Sequence, residues 1–414
     1  MKDINAFLWF GYYPIPQNGV GNMPFEMLPS GGLANQALPW AECVDLGARL
    51  LRSAIGTSMS GPGPYVVPIS GGMDSRAILA CALEHYEASS IYTYTFGVPG
   101  TYDFDIGNMV AETVGTRHRS FDLRAYSYDL ETLLDVSMRV AARTALFQHA
   151  PYREIESQLG AAVHISGFMG EALSGAHLLP IADSEHWGRA KKAFALRNRY
   201  STNLKLSEAN FDPTTALPVE PLINQNVLSY DDQLDFAIRQ KRYIQPLVVA
   251  RGFRYKTPFL DPPWVQYILS LPRGYRYGQS MYKAILVHAF PRLFSLPTKT
   301  CFGLPLNAAR WRINASRRLH QVKARSRRFG VNIFGPSPMT NYIEFGTALR
   351  ERLDLRTLTL ECLSALEERH IVDWIDIDAL WREHQTGRVD HSSALLLLAS
   401  LEINLRYNGS MNAN

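Results

Sequence analysis

The chain has 414 residues, with 42 Lys and Arg against 38 Asp and Glu, a formal net charge of +4 at pH 7, and 46% hydrophobic residues. At roughly 150 residues per domain this gives two to three domains, or one large α/β unit with a helical annex, and enough chain to bury a sizeable core. With 29 Gly, 24 Pro and 19% charged residues, the composition excludes a disordered chain, a collagen-like repeat and a disulfide scaffold. The four cysteines, Cys43, Cys81, Cys301 and Cys362, form no C-x-x-C pair, which argues against a zinc ribbon and for a reducing compartment, the cytoplasm. No stretch approaches the roughly 18 uncharged apolar residues of a membrane helix. The N-terminal apolar run Ile4 to Tyr13 follows Asp3 and meets Pro14-Ile15-Pro16, without the cleavage site of a signal peptide.

Residues 1–40, rich in Gly, Pro and aromatics, read as an irregular or β-type entry segment that resembles a connector. From Pro39, Val44, Ala48, Leu51 and Ile55 recur at helical spacing until the breaker run Ser60 to Pro64. Then strands and helices alternate. Tyr65 to Ile69, Ile91 to Phe96, His118 to Leu123 and Ala161 to Ser166 read as strands; Ser75 to Tyr86, Asp105 to Val114 and Leu130 to Leu146 read as helices. This alternation predicts an α/β fold with a parallel, doubly wound sheet over residues 41–185. Beyond residue 185 helical patterns dominate, in Trp187 to Arg199, Asp231 to Val249, Ser280 to Phe290 and Ala379 to Arg406, so residues 186–414 are expected to form a helical lobe. Arg310 to Arg328 holds eight basic residues and no acid; it is either a solvated helix face or a site for a polyanion. Gly330 to Thr340 reads as a loop.

The strongest chemical signal is Ser70-Gly71-Gly72-Met73-Asp74-Ser75, between an apolar strand and a helix. The glycines bring backbone N–H groups close to an anion, the serines add hydroxyls, and the helix adds the positive end of its dipole. The segment lacks the Lys of a P-loop of the kinase or GTPase type. A carboxylate at Asp74 has no use in cradling an anion but can hold Mg²⁺ against phosphate oxygens.

This motif resembles that of the ATP-pyrophosphatase (PP-loop) superfamily, and the flanking segments resemble the synthetase domain of asparagine synthetases and their relatives, the β-lactam synthetases and lasso-peptide cyclases. Seven further segments match in order: Thr95-Phe96-Gly97, Asp105 to His118, Ser166-Gly167-Phe168-Met169-Gly170-Glu171, Thr257-Pro258-Phe259-Leu260-Asp261, Lys283 at the opening of a helix, Lys299 to Pro305, and Glu383 to Gly387. The resemblance implies a sheet of the ATP-pyrophosphatase type and an enzyme, a carbon–nitrogen ligase, that adenylates a carboxylate, releases pyrophosphate and passes the acyl group to ammonia or an amine. ATP would lie on Ile69, Ser70, Gly71, Gly72, Asp74, Ser75, Phe96, Gly97 and Gly167. Asp74 and Glu171 would hold Mg²⁺, Lys283 would pair with pyrophosphate, and Lys299 would stabilise charge at the reacting centre. Asp261, after an apolar Pro-Phe-Leu, reads as structural rather than catalytic.

The chain departs from this family in three places. Residue 2 is Lys, not the cysteine of a glutaminase domain, so nitrogen is expected from free ammonia, a separate glutaminase subunit or an amine on a substrate. Phe168 stands where an acid or Tyr is usual, and Arg254 where a Glu helps to deprotonate the nucleophile. Both are expected in the substrate pocket, where Arg254 would favour an anionic substrate. The carboxylate would belong to a small molecule, a peptide or a sugar acid. An RNA-modifying enzyme that docks RNA on the basic helix, and a nucleotide-binding scaffold without turnover, are the competing readings; nucleic acid is the less expected partner and a membrane is not expected.

Overall fold

The structure is a computed structural model that describes residues 2–14, 38–328 and 337–412. Five short strands make a wholly parallel sheet: β1 (Tyr65–Pro68), β2 (Tyr92–Gly97), β3 (Arg117–Asp122), β4 (Val163–Ile165) and β5 (Arg254–Lys256), in the order β3-β2-β1-β4-β5. Parallel strands need crossovers, and helices α1 (Lys2–Phe10), α2 (Trp40–Ser58), α3 (Asp74–Ala82), α4 (Tyr102–Val114), α5 (Leu130–Arg139), α6 (Tyr152–Leu159) and α7 (Gly170–Leu173) supply the entry and the first four. Successive side chains of β1 point to opposite faces. Val66 enters one buried cluster with Tyr94, Leu133 and Leu397, while Val67 enters another with Ile55, Ile78 and Trp264. The sheet is therefore covered on both faces, the α/β architecture that the alternation predicts.

Strand order reverses between β1 and β4, whose C-terminal ends lead into residues 69–73 and 166–170. In open parallel sheets such a reversal opens a crevice at the carboxyl ends of the strands. Both glycine-rich segments picked out in the sequence lie on its lips.

The structure corrects the sequence reading in several elements. Residues 2–10 are helical rather than irregular, because Phe7 and Leu8 pack into one cluster and Trp9 and Phe10 into a third. Residues 15–37 of the connector-like segment lie outside the described residues, as do residues 330–336 of the expected loop. Helix α5 stops at Arg139 instead of reaching Leu146: Ala141 and Ala142 adopt positive φ, and the chain turns to bond Tyr13 and Gly11 through Arg143 O and Ala145 N. The pattern from Ala379 to Arg406 is two helices, Ile377–Gln385 and Ser392–Asn412, split at Gly387 with φ +71°. The strand signal also persists beyond residue 185. The sheet's fifth strand comes from residues 254–256, and a two-stranded hairpin pairs Pro297–Thr298 with Leu304–Pro305. Three-residue and two-residue strands are too short for period-2 patterning to register.

Helix Tyr230–Leu234 runs into a ten-residue π-helical segment, Asp235–Ile244, and ends as Gln245–Val248. Just before it, Asp232 makes a two-pronged pair with Arg276, Nη1 to Oδ2 at 2.8 Å and Nη2 to Oδ1 at 2.9 Å, and both residues are about 5% exposed or less. Arg276 Nε also donates to Leu173 O at 3.1 Å, so the pair ties α7 to two later helices. Asp232→Ala leaves a buried guanidinium without its counter-charge and should cost about 3–5 kcal/mol. Urea unfolding followed by circular dichroism reads this as a lowered midpoint; an unchanged midpoint would contradict it.

Candidate active site

A cavity of about 580 Å³ occupies the crevice, with Ser70, Gly72, Asp74 and Ser75 on one wall, Gly167, Phe168 and Glu171 on a second, and Lys299 on a third. The loop after β1 is shaped by its own hydroxyls: Gly72 N donates to Ser70 Oγ at 3.2 Å, and Ser70 N to Ser75 Oγ at 3.3 Å. A Cβ on Gly71 would press on Tyr102 O, 2.7 Å away, whereas one on Gly72 would meet only Ser70 Oγ within 4 Å. Gly72 thus presents bare backbone to the cavity at the start of α3, whose first-turn N–H groups have no intrahelical acceptor. That arrangement fits phosphate oxygens. Ile69 and Gly71 are framework behind it: Ile69 O accepts from Thr95 Oγ1 at 2.8 Å, and Gly71 O accepts from Lys299 N at 2.9 Å.

Asp74 lies where the two glycine turns meet. Its Oδ1 accepts from Tyr282 Oη and its Oδ2 from Glu171 N, each at 2.8 Å. Burial first, and the Glu171 carboxylate second, push Asp74 up to about 7. Two acids held this close form a pair that a divalent cation can stabilise, so the donor set fits Mg²⁺. A Cβ on Gly170 would overlap the Asp74 carboxyl group, and one on Gly167 would lie 2.9 Å from Asp74 Cβ. Both residues of the second turn are small because Asp74 fills the space, and Met169 between them takes φ +72°.

Lys299 Nζ pairs with Asp103 Oδ2 at 2.5 Å, and both residues face the cavity. The segment carrying Lys299 is anchored from below. Arg76, fully buried on α3, donates to Leu293 O at 3.3 Å, Leu296 O at 3.2 Å and Pro297 O at 2.7 Å. At the end of β2, Phe96 lines the cavity while Gly97, at φ +149°, lies under Asn341, whose Nδ2 donates to Phe96 O at 2.9 Å. Met339 brings the same segment to the cavity edge.

Two expected positions lie elsewhere. Arg254 opens β5 beside Val163, at the opposite end of the strands from the cavity, and its guanidinium donates to Ala161 O. It is exposed and does not line the pocket, because a parallel strand entered at residue 254 reaches the crevice only after Lys256. Lys283 Nζ donates to Gly278 O at 2.7 Å, and Lys283 is likewise absent from the cavity wall. Phe168 does line the cavity. Asp261 caps the helix Pro262–Ser270 by accepting from Trp264 N at 3.3 Å, a structural role. The helix Arg310–Arg328 presents mostly exposed side chains over its described part, Trp311 being 72% exposed, and rests on the Lys299 loop through Ser316 Oγ to Phe302 O at 3.1 Å.

The structure adds residues that no motif announces. His177, Arg239 and Gln240 line the cavity, the last two from the π-helical segment. Periodicity cannot reveal a π-helix, because the apolar rows used to recognise helices assume α geometry. All four cysteines are buried and free, and no described helix is long and apolar enough to cross a membrane.

The family model described as asparagine synthase matches residues 47–406. Asparagine synthetase [glutamine-hydrolyzing] 2 of Arabidopsis thaliana is 32% identical over 132 residues, covering 28% of this chain and 22% of that protein; asparagine synthetase [glutamine-hydrolyzing] 3 of the same plant is 30% identical over the same length and shares. The chain spans about a fifth of the length of these curated relatives. With the family match running from α2 into the last helix, across both glycine turns and the Lys299 loop, the chain belongs to the asparagine synthase family.

Proposed function

We propose that the chain is an ATP-dependent amide ligase that adenylates a carboxylate, releases pyrophosphate and transfers the acyl group to ammonia or an amine. The observation that carries this reading is the convergence, on one cavity, of the bare Gly72 backbone, the Asp74 and Glu171 carboxylates, and the Lys299 ammonium. Phosphoryl and acyl transfer need charge stabilised where it develops, and these groups supply both signs in a partly dry site. The Ser70–Ser75 loop would bind the phosphates of ATP and orient the α-phosphate toward the acid. Mg²⁺ held by Asp74 and Glu171 would neutralise charge on the departing pyrophosphate. Lys299, kept in place by Asp103 and by its backbone bond to Gly71, would face the carboxylate as it attacks. Phe96, whose carbonyl accepts from Asn341 Nδ2, would give the adenine an apolar wall at the end of β2.

The acid is proposed to be a small molecule, a peptide side chain or a sugar acid, with nitrogen from ammonia, an amine or a separate glutaminase subunit. Among the described residues the arginine that faces the cavity is Arg239 rather than Arg254, and beside Lys299 it would favour an acid carrying a further negative group. The test is pyrophosphate and AMP release from ATP and Mg²⁺, with L-aspartate, D-glucuronate, a glutamate-containing peptide and RNA added in turn. Stimulation by a carboxylate supports the ligase; stimulation by RNA alone would favour an RNA-modifying enzyme.

Asp74→Asn should abolish pyrophosphate release with the fold intact, since it removes one charge and keeps the side-chain shape. Gly72→Val should abolish nucleotide binding, because a β-branched side chain would occupy the space where backbone meets phosphate. Equilibrium binding of ATP and circular dichroism separate the two effects; normal turnover in the first variant or normal affinity in the second would remove the assigned roles.

The 414-residue chain should use ammonium and not glutamine as nitrogen donor. Thiolate attack on glutamine needs an accessible nucleophile, and Cys43, Cys81, Cys301 and Cys362 are all buried. Glutamate release from glutamine by the purified chain would contradict this.

A further inference from the structure

Acyl transfer to nitrogen requires a proton acceptor, and the following inference rests on the ligase reading above. Phe168 has no basic group, and Arg254 lies outside the cavity. Of the ionisable side chains on the cavity wall, Lys299 and Arg239 are cations, and Asp103 is committed to Lys299. Asp74 and Glu171 face the phosphate loop as the candidate cation pair. The phenols of Tyr94, Tyr152 and Tyr255 are all pushed up by burial, so they hold their protons. Among the described residues one group remains: His177.

Its surroundings are those of a positioned imidazole. His177 Nδ1 lies 3.0 Å from Asp235 Oδ2, and Asp235 is only 5% exposed. Against an ionised carboxylate, which accepts and cannot donate, this contact calls for the proton of a neutral ring on Nδ1 and the lone pair on Nε2; Gln240 Nε2 also lies 3.4 Å from Nδ1. Nε2 has no hydrogen-bond partner among the described residues. Gln240 Nε2 donates to the same carboxylate, 3.2 Å from Oδ2 and 3.4 Å from Oδ1. Asp235 and Gln240 are five residues apart in the π-helical segment, and i to i+5 geometry brings them together. The backbone of His177 is fixed as well, since Arg197 Nη1 donates to His177 O at 2.9 Å.

We propose that His177, oriented by Asp235 and Gln240, is the general base of acyl transfer. The nitrogen lone pair forms the bond to the acyl carbon, the C–O bond to AMP breaks with its electron pair leaving on the AMP phosphate, and the proton released from nitrogen passes to His177 Nε2. Asp235 then stabilises the imidazolium; it and Gln240 are positioning residues. The charges facing His177 among the described residues are Asp231 from the helix Tyr230–Leu234, Asp235 and Arg239 from the π-helical segment, Arg197 from the helix Trp187–Arg197, and Asp74 and Glu171 across the cavity.

Two measurements on the full chain test this. In a ¹⁵N-histidine-labelled protein, the signals lost in His177→Gln identify the ring, and two-bond ¹H–¹⁵N spectra should show a protonated Nδ1 and a bare Nε2. Asp235→Asn should shift the ring toward the other tautomer. A wild-type ring protonated on Nε2 and bare at Nδ1 would overturn the proposal. In the second measurement, the acid that raises pyrophosphate release is supplied with ATP, Mg²⁺ and ¹⁵N-ammonium. His177→Gln should lower amide formation about 10²- to 10⁴-fold while retaining ATP–pyrophosphate exchange and hydroxamate formation with hydroxylamine, a nucleophile neutral at working pH. Asp235→Asn should lower amide formation less and displace the acidic limb of its pH profile, where the base is already protonated. Unchanged amide formation in His177→Gln, or exchange lost in parallel with it, would overturn the proposal and leave the ligase reading standing. No stimulation of pyrophosphate release by any carboxylate would overturn both.

Discussion

The site depends on one crowded carboxyl group. Asp74 occupies the space between the loop after β1 and the loop after β4, held by Tyr282 Oη and Glu171 N, and neither loop can move without disturbing it. The absence of side chains at Gly167 and Gly170 follows from its position. So does the arrangement of the lobe beyond residue 185, because Tyr282 comes from the helix Ser280–Ala289, packed under the sheet with Trp264 and Ile285. The carboxylate that chemistry would use to hold a cation is also the pin that brings the two lips of the crevice into register.

How much of this the sequence discloses depends on the range of the interaction. The turn Ser70 to Ser75 was legible because it is local: its glycines, hydroxyls and helix start lie within six consecutive residues. Glu171 stood out by its glycine turn, and strands β1, β2 and β4 by runs of apolar and β-branched residues, whereas β3, Arg117–Asp122, has only Phe121 as an apolar residue and was legible from its place in the alternation. Strand β5 was not, since three residues, Arg254, Tyr255 and Lys256, have two charged side chains at their ends and become a strand only by pairing with β4. That same pairing decides the fate of Arg254. A residue aligned by motif spacing can lie at either end of a strand, and the register of Val163 against Arg254 puts it at the far one.

The π-helical segment shows a different limit. Asp231 to Val249 reads as one helix in the sequence, and a helix is there, but its middle is wound differently. An α-helix would rotate Gln240 away from Asp235; the wider turn stacks them and directs Arg239 and Gln240 to the cavity. Neighbouring ion pairs hold the start of this segment to the sheet side of the molecule, Asp231 to Arg273 at 2.6 Å and Asp232 to Arg276. Polar contacts at both levels, rather than apolar spacing, specify the conformation, which is why hydrophobic periodicity misses it.

Arg76 has a consequence for the range of the electrostatic field. It is a buried guanidinium with three carbonyl partners and no acid among the described residues, and burial lowers its pKa to about 10, so it stays charged at neutral pH. Exposed cations attract an anion through water, and mobile salt ions cancel that attraction within about 10 Å at 0.1 M. A charge sealed beneath the loop, two residues after Asp74, has no mobile ions around it. Its positive potential reaches the anion seat through protein rather than solvent, so the pull of the Ser70–Ser75 loop on a phosphate group should persist at ionic strengths that abolish the influence of the exposed arginines on the helix Arg310–Arg328.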